Sequence, residues 1–251
     1  DLSIGIPRAD RDVPDWQGAP PVGSVSPPVV VGDTLVVQQI TSNRPHYKER
    51  PPTWIRGYDI PTGELKWTFH GIPQQGEFGV ETWQEESWRY TGNGGAWSQL
   101  SADLELGLVY LPTGAPSNDM YGGHRPGNNL YANSLVCVRA DTGEMVWHFQ
   151  TVHHDLWDYD VASQPVLIDL PMEGGSVPAV AQGTKMGHLF FLHRETGVPL
   201  FPVEERPVPQ TDVPGERTSP TQPFPTWPPA LVPQSIGPDE VWGLTPIDRK
   251  M

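Results

Sequence analysis

Three segments of the chain share one register. They are Gly57-Tyr58-Asp59-Ile60-Pro61-Thr62-Gly63-Glu64-Leu65-Lys66-Trp67, then Cys137-Val138-Arg139-Ala140-Asp141-Thr142-Gly143-Glu144-Met145-Val146-Trp147, then Phe191-Leu192-His193-Arg194-Glu195-Thr196-Gly197-Val198-Pro199-Leu200-Phe201. In each, Thr-Gly follows a short apolar run and an aromatic residue stands five positions beyond the Thr. The pattern reads as strand, tight turn, strand, because glycine accepts the positive φ of the turn and the aromatic can pack on a neighbouring unit. Other short runs, at residues 28–31, 34–38, 107–111, 164–168 and 179–182, are bounded by Gly, Pro, Asp or Asn and read as further strands. Several strands per repeat with a recurrent Gly/aromatic mark predict an all-β chain of four-stranded antiparallel β-propeller blades.

The first two Thr-Gly marks lie 80 residues apart (142 − 62), longer than a plain blade of roughly 40–50 residues. A loop insertion is therefore expected near residues 70–96, and insertions in repeat proteins tend to lie on a binding face. Residues 1–201 read as about three blades of an incomplete arc. From Pro202 to Pro238 prolines recur every few residues, which excludes regular helix and central strand. Residues 202–251 thus read as an extended strap of the same domain, anchored by Phe224 and Trp227, with a helix expected to begin near Pro238-Asp239-Glu240.

Composition narrows the function. The 251 residues carry 16 Lys+Arg against 30 Asp+Glu, a net charge of −14, which argues against a nucleic-acid partner. No apolar run of about 18 residues occurs, so membrane association is expected only through regions outside this chain. Cys137 is the single cysteine, which excludes an internal disulfide, a CxxC pair and a haem attachment motif. Within Leu135-Val136-Cys137-Val138 it reads as a small buried hydrophobe.

The repeated hairpins resemble the tryptophan-docking motif of the quinoprotein dehydrogenases, the pyrroloquinoline quinone (PQQ) dependent enzymes that oxidise alcohols and sugars. Gly92-Asn93-Gly94-Gly95-Ala96-Trp97-Ser98, Leu108-Val109-Tyr110-Leu111-Pro112-Thr113-Gly114, Tyr121-Gly122-Gly123-His124-Arg125, Thr151-Val152-His153-His154-Asp155-Leu156-Trp157-Asp158 and Gly183-Thr184-Lys185, in that order, resemble the glucose, quinate and shikimate branch. The resemblance runs from about Pro27 to Arg217. It implies an eight-bladed propeller holding PQQ beside Ca²⁺, of which this chain would be a part that is inactive alone. It also implies oxidation of an alcohol, sugar or polyol, a quinone or cytochrome electron acceptor, and a periplasmic location.

The resemblance assigns roles that the residues alone leave open. Removing a hydroxyl proton while hydride leaves the same carbon needs a carboxylate. Asp158 matches the family's catalytic base, although by itself it also reads as a turn-capping acid. Trp97 matches the indole on which PQQ rests, and Lys185 the cation that stabilises negative charge on the quinone. Asn43 resembles a Ca²⁺ ligand and cofactor contact, with Asp158 and Asn118 as further oxygen donors. Two departures weaken that site: Ser42 stands where the glucose branch tends to have an acid, and Ala115 where alcohol-oxidising relatives carry Asn. His153 and His154 read as hydrogen-bonded loop histidines. The competing reading is a cofactor-free propeller used as a binding scaffold, which would keep the hairpins but has no reason to keep Trp97, Asp158 and Lys185 together.

Overall fold

The Thr-Gly turns organise the computed structural model, which describes residues 26–39 and 48–237 together with Glu240, Trp242 and Thr245. In the first, Asp59 Oδ2 accepts hydrogen bonds from the Thr62 amide (3.0 Å) and hydroxyl (2.8 Å), and Gly63, at φ +73°, returns its N–H to Asp59 O (2.7 Å). That turn joins the last two strands of a four-stranded antiparallel sheet, β1 (Val29–Val31), β2 (Thr34–Gln38), β3 (Trp54–Asp59) and β4 (Leu65–His70), paired in sequence order. The second mark closes an equivalent sheet of β5 (Ser101–Asp103), β6 (Leu108–Pro112), β7 (Ser134–Arg139) and β8 (Met145–Gln150). A third sheet holds β9 (Val166–Met172), β10 (Gly175–Gly183) and β11 (Leu189–His193), with β10 in the middle. After Thr196-Gly197 the chain turns back along β11 through Leu200 N–H to Phe191 O (2.8 Å), without forming a fourth full strand.

Adjacent sheets are joined by tryptophan seated on glycine. Trp67 Nε1 donates to Ala140 O (2.9 Å), and its ring lies so close over Gly143, at φ +72°, that a Cβ there would fall 2.5 Å from it. Trp147 Nε1 reaches Arg194 O (3.2 Å) and covers Gly197 in the same manner. The turn glycine of the second and of the third unit is thus the seat for the preceding unit's indole. In the third unit Phe201 packs on Trp227 (ring centroids 4.4 Å) and Phe191 (5.7 Å).

The middle sheet is apolar on both faces, as alternation along a strand between two partners requires. Val109, Leu111, Val136 and Val138 join Val36, Ile55 and Trp67 on one side. Leu108, Tyr110, Leu135 and Cys137 join Trp147, Val180, Phe190 and Leu192 on the other. Cys137 is fully buried, and burial pushes its thiol up to about 12.

The sheets form an open arc of an all-β propeller. Two elements differ from the sequence pattern. The strands expected at 164–168 and 179–182 are longer and form one hairpin, β9–β10, which Pro171 and Pro178 obscured. Pro178 is tolerated because it stands just beyond the β11 ladder, which begins at Ala179–His193, and only its carbonyl is used on that side, accepting from Arg194 N–H (2.9 Å). In the Pro-rich stretch β12 (Val203–Pro207) and β13 (Thr221–Pro225) pair as a two-stranded ribbon, in which each strand keeps a free edge. Phe224 packs edge-on against His188 (5.2 Å). Between β4 and β5 the described residues form no named strand, only 3-10 turns at Val80–Thr82 and Gln84–Arg89. Trp83 is buried between those turns, its Nε1 donating to Leu130 O (2.5 Å). Apart from Glu240, the helix expected near Pro238 lies outside the described residues. Among the described residues no helix is long and apolar enough to cross a membrane.

Because Trp67 is the seal between two sheets, Trp67→Ala is expected to lower unfolding stability by about 3–5 kcal/mol. Chemical denaturation of the full-length protein would measure this, and an unshifted midpoint would remove the docking role.

Candidate functional site

Trp97, Asp158 and Lys185 come from three separate connections. Trp97 precedes β5 in the Gly-rich run, which is stitched to the end of β6 by Gly114 N–H to Gly95 O (2.9 Å) and an Ala96–Thr113 bridge. Asp158 lies in the loop from β8 to β9, with φ +59°. Lys185 sits at the tip of the β10–β11 hairpin, in a turn closed by Gly187 N–H to Thr184 O (2.9 Å).

The three meet. Lys185 Nζ donates to Asp158 Oδ2 (3.0 Å) and to the Asp158 carbonyl (2.8 Å), and stands 5.9 Å from the centre of the Trp97 ring. Trp97 keeps 37% of its surface exposed, and the Asp158 and Lys185 side chains keep 29% and 31%. The arrangement therefore presents an accessible indole beside a cation already held by an acid.

A third charge, not singled out from sequence, completes the cluster. Asp160 Oδ2 accepts from Lys185 Nζ at 2.6 Å, and its other oxygen accepts from Ala115 N–H (2.5 Å). Asp160 is buried, and burial raises its carboxyl above the usual range despite those two donors; Asp158 beside it adds to the rise. For Lys185, burial works to lower the ammonium, but the two carboxylates outweigh it and the net shift is upward. Gly114 makes room for this contact: a Cβ there would lie 2.5 Å from Asp160 Oδ1 and 3.2 Å from Trp97 Cδ1. The only sequence signal for Asp160 was its place two residues beyond Asp158.

Of the remaining expected site residues, Asn118 makes its contacts elsewhere. Asn118 turns its Oδ1 to Met120 N–H (3.1 Å), and its carbonyl accepts from Arg125 (3.1 Å). Asn43 lies outside the described residues. Among the described residues no group of three or more His, Cys, Asp or Glu is disposed to hold a metal ion. Asp158 and Asp160 both face an ammonium, so they fall short of the six to eight oxygens that Ca²⁺ takes. PQQ is the better fit, since an anionic planar quinone is suited to an exposed indole face and an adjacent lysine. A separate groove of about 520 Å³ runs between β8 and the β12–β13 ribbon, lined by His148, Phe149, His153, Val203 and Glu205 among others, and none of the three residues borders it.

The two histidines before Asp158 are both hydrogen-bonded, as expected of loop histidines. His153 bonds Gln150 Oε1 (2.8 Å) and Glu205 Oε1 (3.0 Å). Buried His154 donates from Nδ1 to Gly127 O (2.6 Å), with Asn129 Oδ1 at 3.1 Å. Burial first, and then the nearby Arg125 charge, lower its pKa from 6.5 to about 4. The unfolded chain therefore binds the extra proton between these values. The contribution is complete above pH 6.5 and is lost as pH falls toward 4, amounting to on the order of 3 kcal/mol. Thermal melts between pH 7 and 4 should show a steeper acid loss for the native protein than for His154→Gln; parallel curves would show that the imidazole is not held neutral.

Comparison with known proteins matches the same region. Residues 3–251 match the family model "PQQ: Glucose/ethanol/alcohol dehydrogenase, beta-propeller domain". The chain is 41% identical over 236 residues to quinoprotein glucose dehydrogenase A of Acinetobacter calcoaceticus, covering 90% of this chain and 28% of that protein. It is 39% identical over 226 residues to the glycerol dehydrogenase large subunit of Gluconobacter oxydans (strain 621H), covering 89% and 30%. Among solved structures, the quinohemoprotein alcohol dehydrogenase ADHIIG of Pseudomonas putida HK5 superposes with a TM-score of 0.63 at 28% identity, covering 75% of this chain and 29% of that one. The chain thus spans less than a third of the length of these relatives. With the Trp-on-Gly seams, the open arc of antiparallel sheets and a family match along nearly its whole length, the chain belongs to the β-propeller domain family of the PQQ-dependent glucose, ethanol and alcohol dehydrogenases.

Proposed function

We propose that the chain is part of a PQQ-dependent dehydrogenase that oxidises a hydroxyl of a sugar, alcohol or polyol, with Asp158 as general base. The contact of Lys185 with Asp158, beside the open face of Trp97, is the observation that carries this reading. PQQ, when bound, supplies the hydride acceptor. The chain's own groups have the complementary tasks. Trp97 offers a flat apolar surface for a planar ring system. Lys185 provides fixed positive charge where negative charge develops, held in place by the hydrogen bonds it donates to both carboxylates. Asp158 takes the substrate's hydroxyl proton on a carboxylate oxygen. Asp160 contacts Lys185 from the buried side, leaving Asp158 on the more exposed side.

The remaining walls of the site are assigned to the rest of a longer protein, because an arc of blades leaves the three side chains open on one side. By the same reasoning these residues alone are inactive. A quinone or cytochrome as electron acceptor and a periplasmic location follow from the family reading. No step is assigned to calcium.

In the full-length enzyme loaded with PQQ and assayed on D-glucose and glycerol with a dye acceptor, Asp158→Asn is expected to lower kcat by about 10²–10⁴-fold while PQQ is retained. A near-normal rate would remove the assigned base. Trp97→Ala should weaken PQQ binding by about tenfold in a fluorescence titration, and an unchanged affinity would remove the platform role.

A further inference from the structure

We infer that Asp155 is a positioning residue whose buried carboxylate, together with Arg125, holds Asp158 in the backbone conformation from which its side chain reaches Lys185. The inference rests on the reading of Asp158 as the base. Asp158 sits at φ +59°, a left-handed region uncommon for residues with a Cβ, which Asp enters more readily than most but which local contacts must still select. The peptide N–H groups on either side of Asp158 explain how. Trp157 N–H donates to Asp155 Oδ1 (2.9 Å) and Tyr159 N–H donates to Asp155 Oδ2 (2.7 Å). One carboxylate therefore grips the backbone both before and after the base.

That carboxylate is itself fixed. Asp155 is 1% exposed, and its Oδ2 also accepts from Asn133 Nδ2 (2.8 Å). Arg125 is fully buried; its Nη2 donates to the Asp155 carbonyl (2.5 Å) and to Asn118 O (3.1 Å), and its Nη1 to Asn129 Oδ1 (3.0 Å). Asn129 returns a bond from Nδ2 to Arg125 O (2.8 Å). Burying two opposite charges is costly, and an apolar pair of similar volume often serves stability as well or better. An apolar side chain at 155 could not accept the two N–H bonds that flank Asp158, so the polar choice answers to the geometry of the loop.

The test uses the full-length, PQQ-loaded enzyme with D-glucose or glycerol and a dye acceptor. Asp155→Asn keeps the shape but replaces one accepting oxygen by an amide N–H₂. It is expected to lower kcat by about 100-fold, with substrate KM and PQQ affinity within about twofold of native, because a small misplacement of a reacting group costs rate before binding. Asn133→Gly, which keeps the positive φ of residue 133 and removes only one donor to Asp155, should lower kcat by less than tenfold. Combined with Asp158→Asn, Asp155→Asn should add no further loss. Native kcat in Asp155→Asn while Asp158→Asn is inactive overturns the positioning role and leaves the base intact. An active Asp158→Asn overturns both. Failure of both Asp155→Asn and Asn133→Gly to fold or to retain PQQ also overturns the proposal, marking Asp155 as a support of the sheet and not of the base.

Discussion

An indole lying on a glycine that has no side chain is the contact on which the architecture depends. Trp67 on Gly143 and Trp147 on Gly197 set the spacing between consecutive sheets, and each indole N–H finds a carbonyl beside that glycine. Any Cβ at the seat would push the ring away and open the cores on both faces of the middle sheet. Sheet spacing in turn decides where the inter-sheet connections fall. Trp97 and Asp158 lie on two such connections, and Lys185 reaches them from the hairpin tip of the third sheet.

The electrostatics of the cluster follow from unequal burial. Asp160 is nearly enclosed and Asp158 is not, yet both bind one ammonium. The enclosed acid carries the desolvation penalty and anchors the lysine through a short contact. The open acid has the water-facing side. Two carboxylates of one loop, two residues apart, are thus given different environments by a single turn of backbone whose conformation is held from behind by Asp155.

How much of this was legible in the sequence depends on the range of the interaction. The hairpins and their sealing tryptophans were readable because turn glycine and aromatic recur at fixed short spacing. The β9–β10 hairpin is harder to read because Pro171 and Pro178 mimic a break, and the strand is permissible because Pro178 lies just past the β11 ladder, where only its carbonyl is used. Trp97, Asp158 and Lys185 were picked out by resemblance, since no local pattern links residues so far apart. Asp160 and Arg125 carry no readable role in the sequence for the same physical reason. Their importance lies in contacts with Lys185 and with Asp155, at separations of 25 and 30 residues, which carry no periodic mark.

Phe201 occupies the position of the sealing indole in the third unit and rests on Trp227 of the Pro-rich segment. A phenyl ring has no N–H, so at this joint, unlike the two before it, the sealing ring makes no hydrogen bond to a carbonyl of the unit it packs on. The third unit's aromatic is therefore held to the Pro-rich segment by ring contact, and the polar stitching passes to the backbone beside it, where Thr226 N–H and hydroxyl both donate to Pro202 O (2.9 Å).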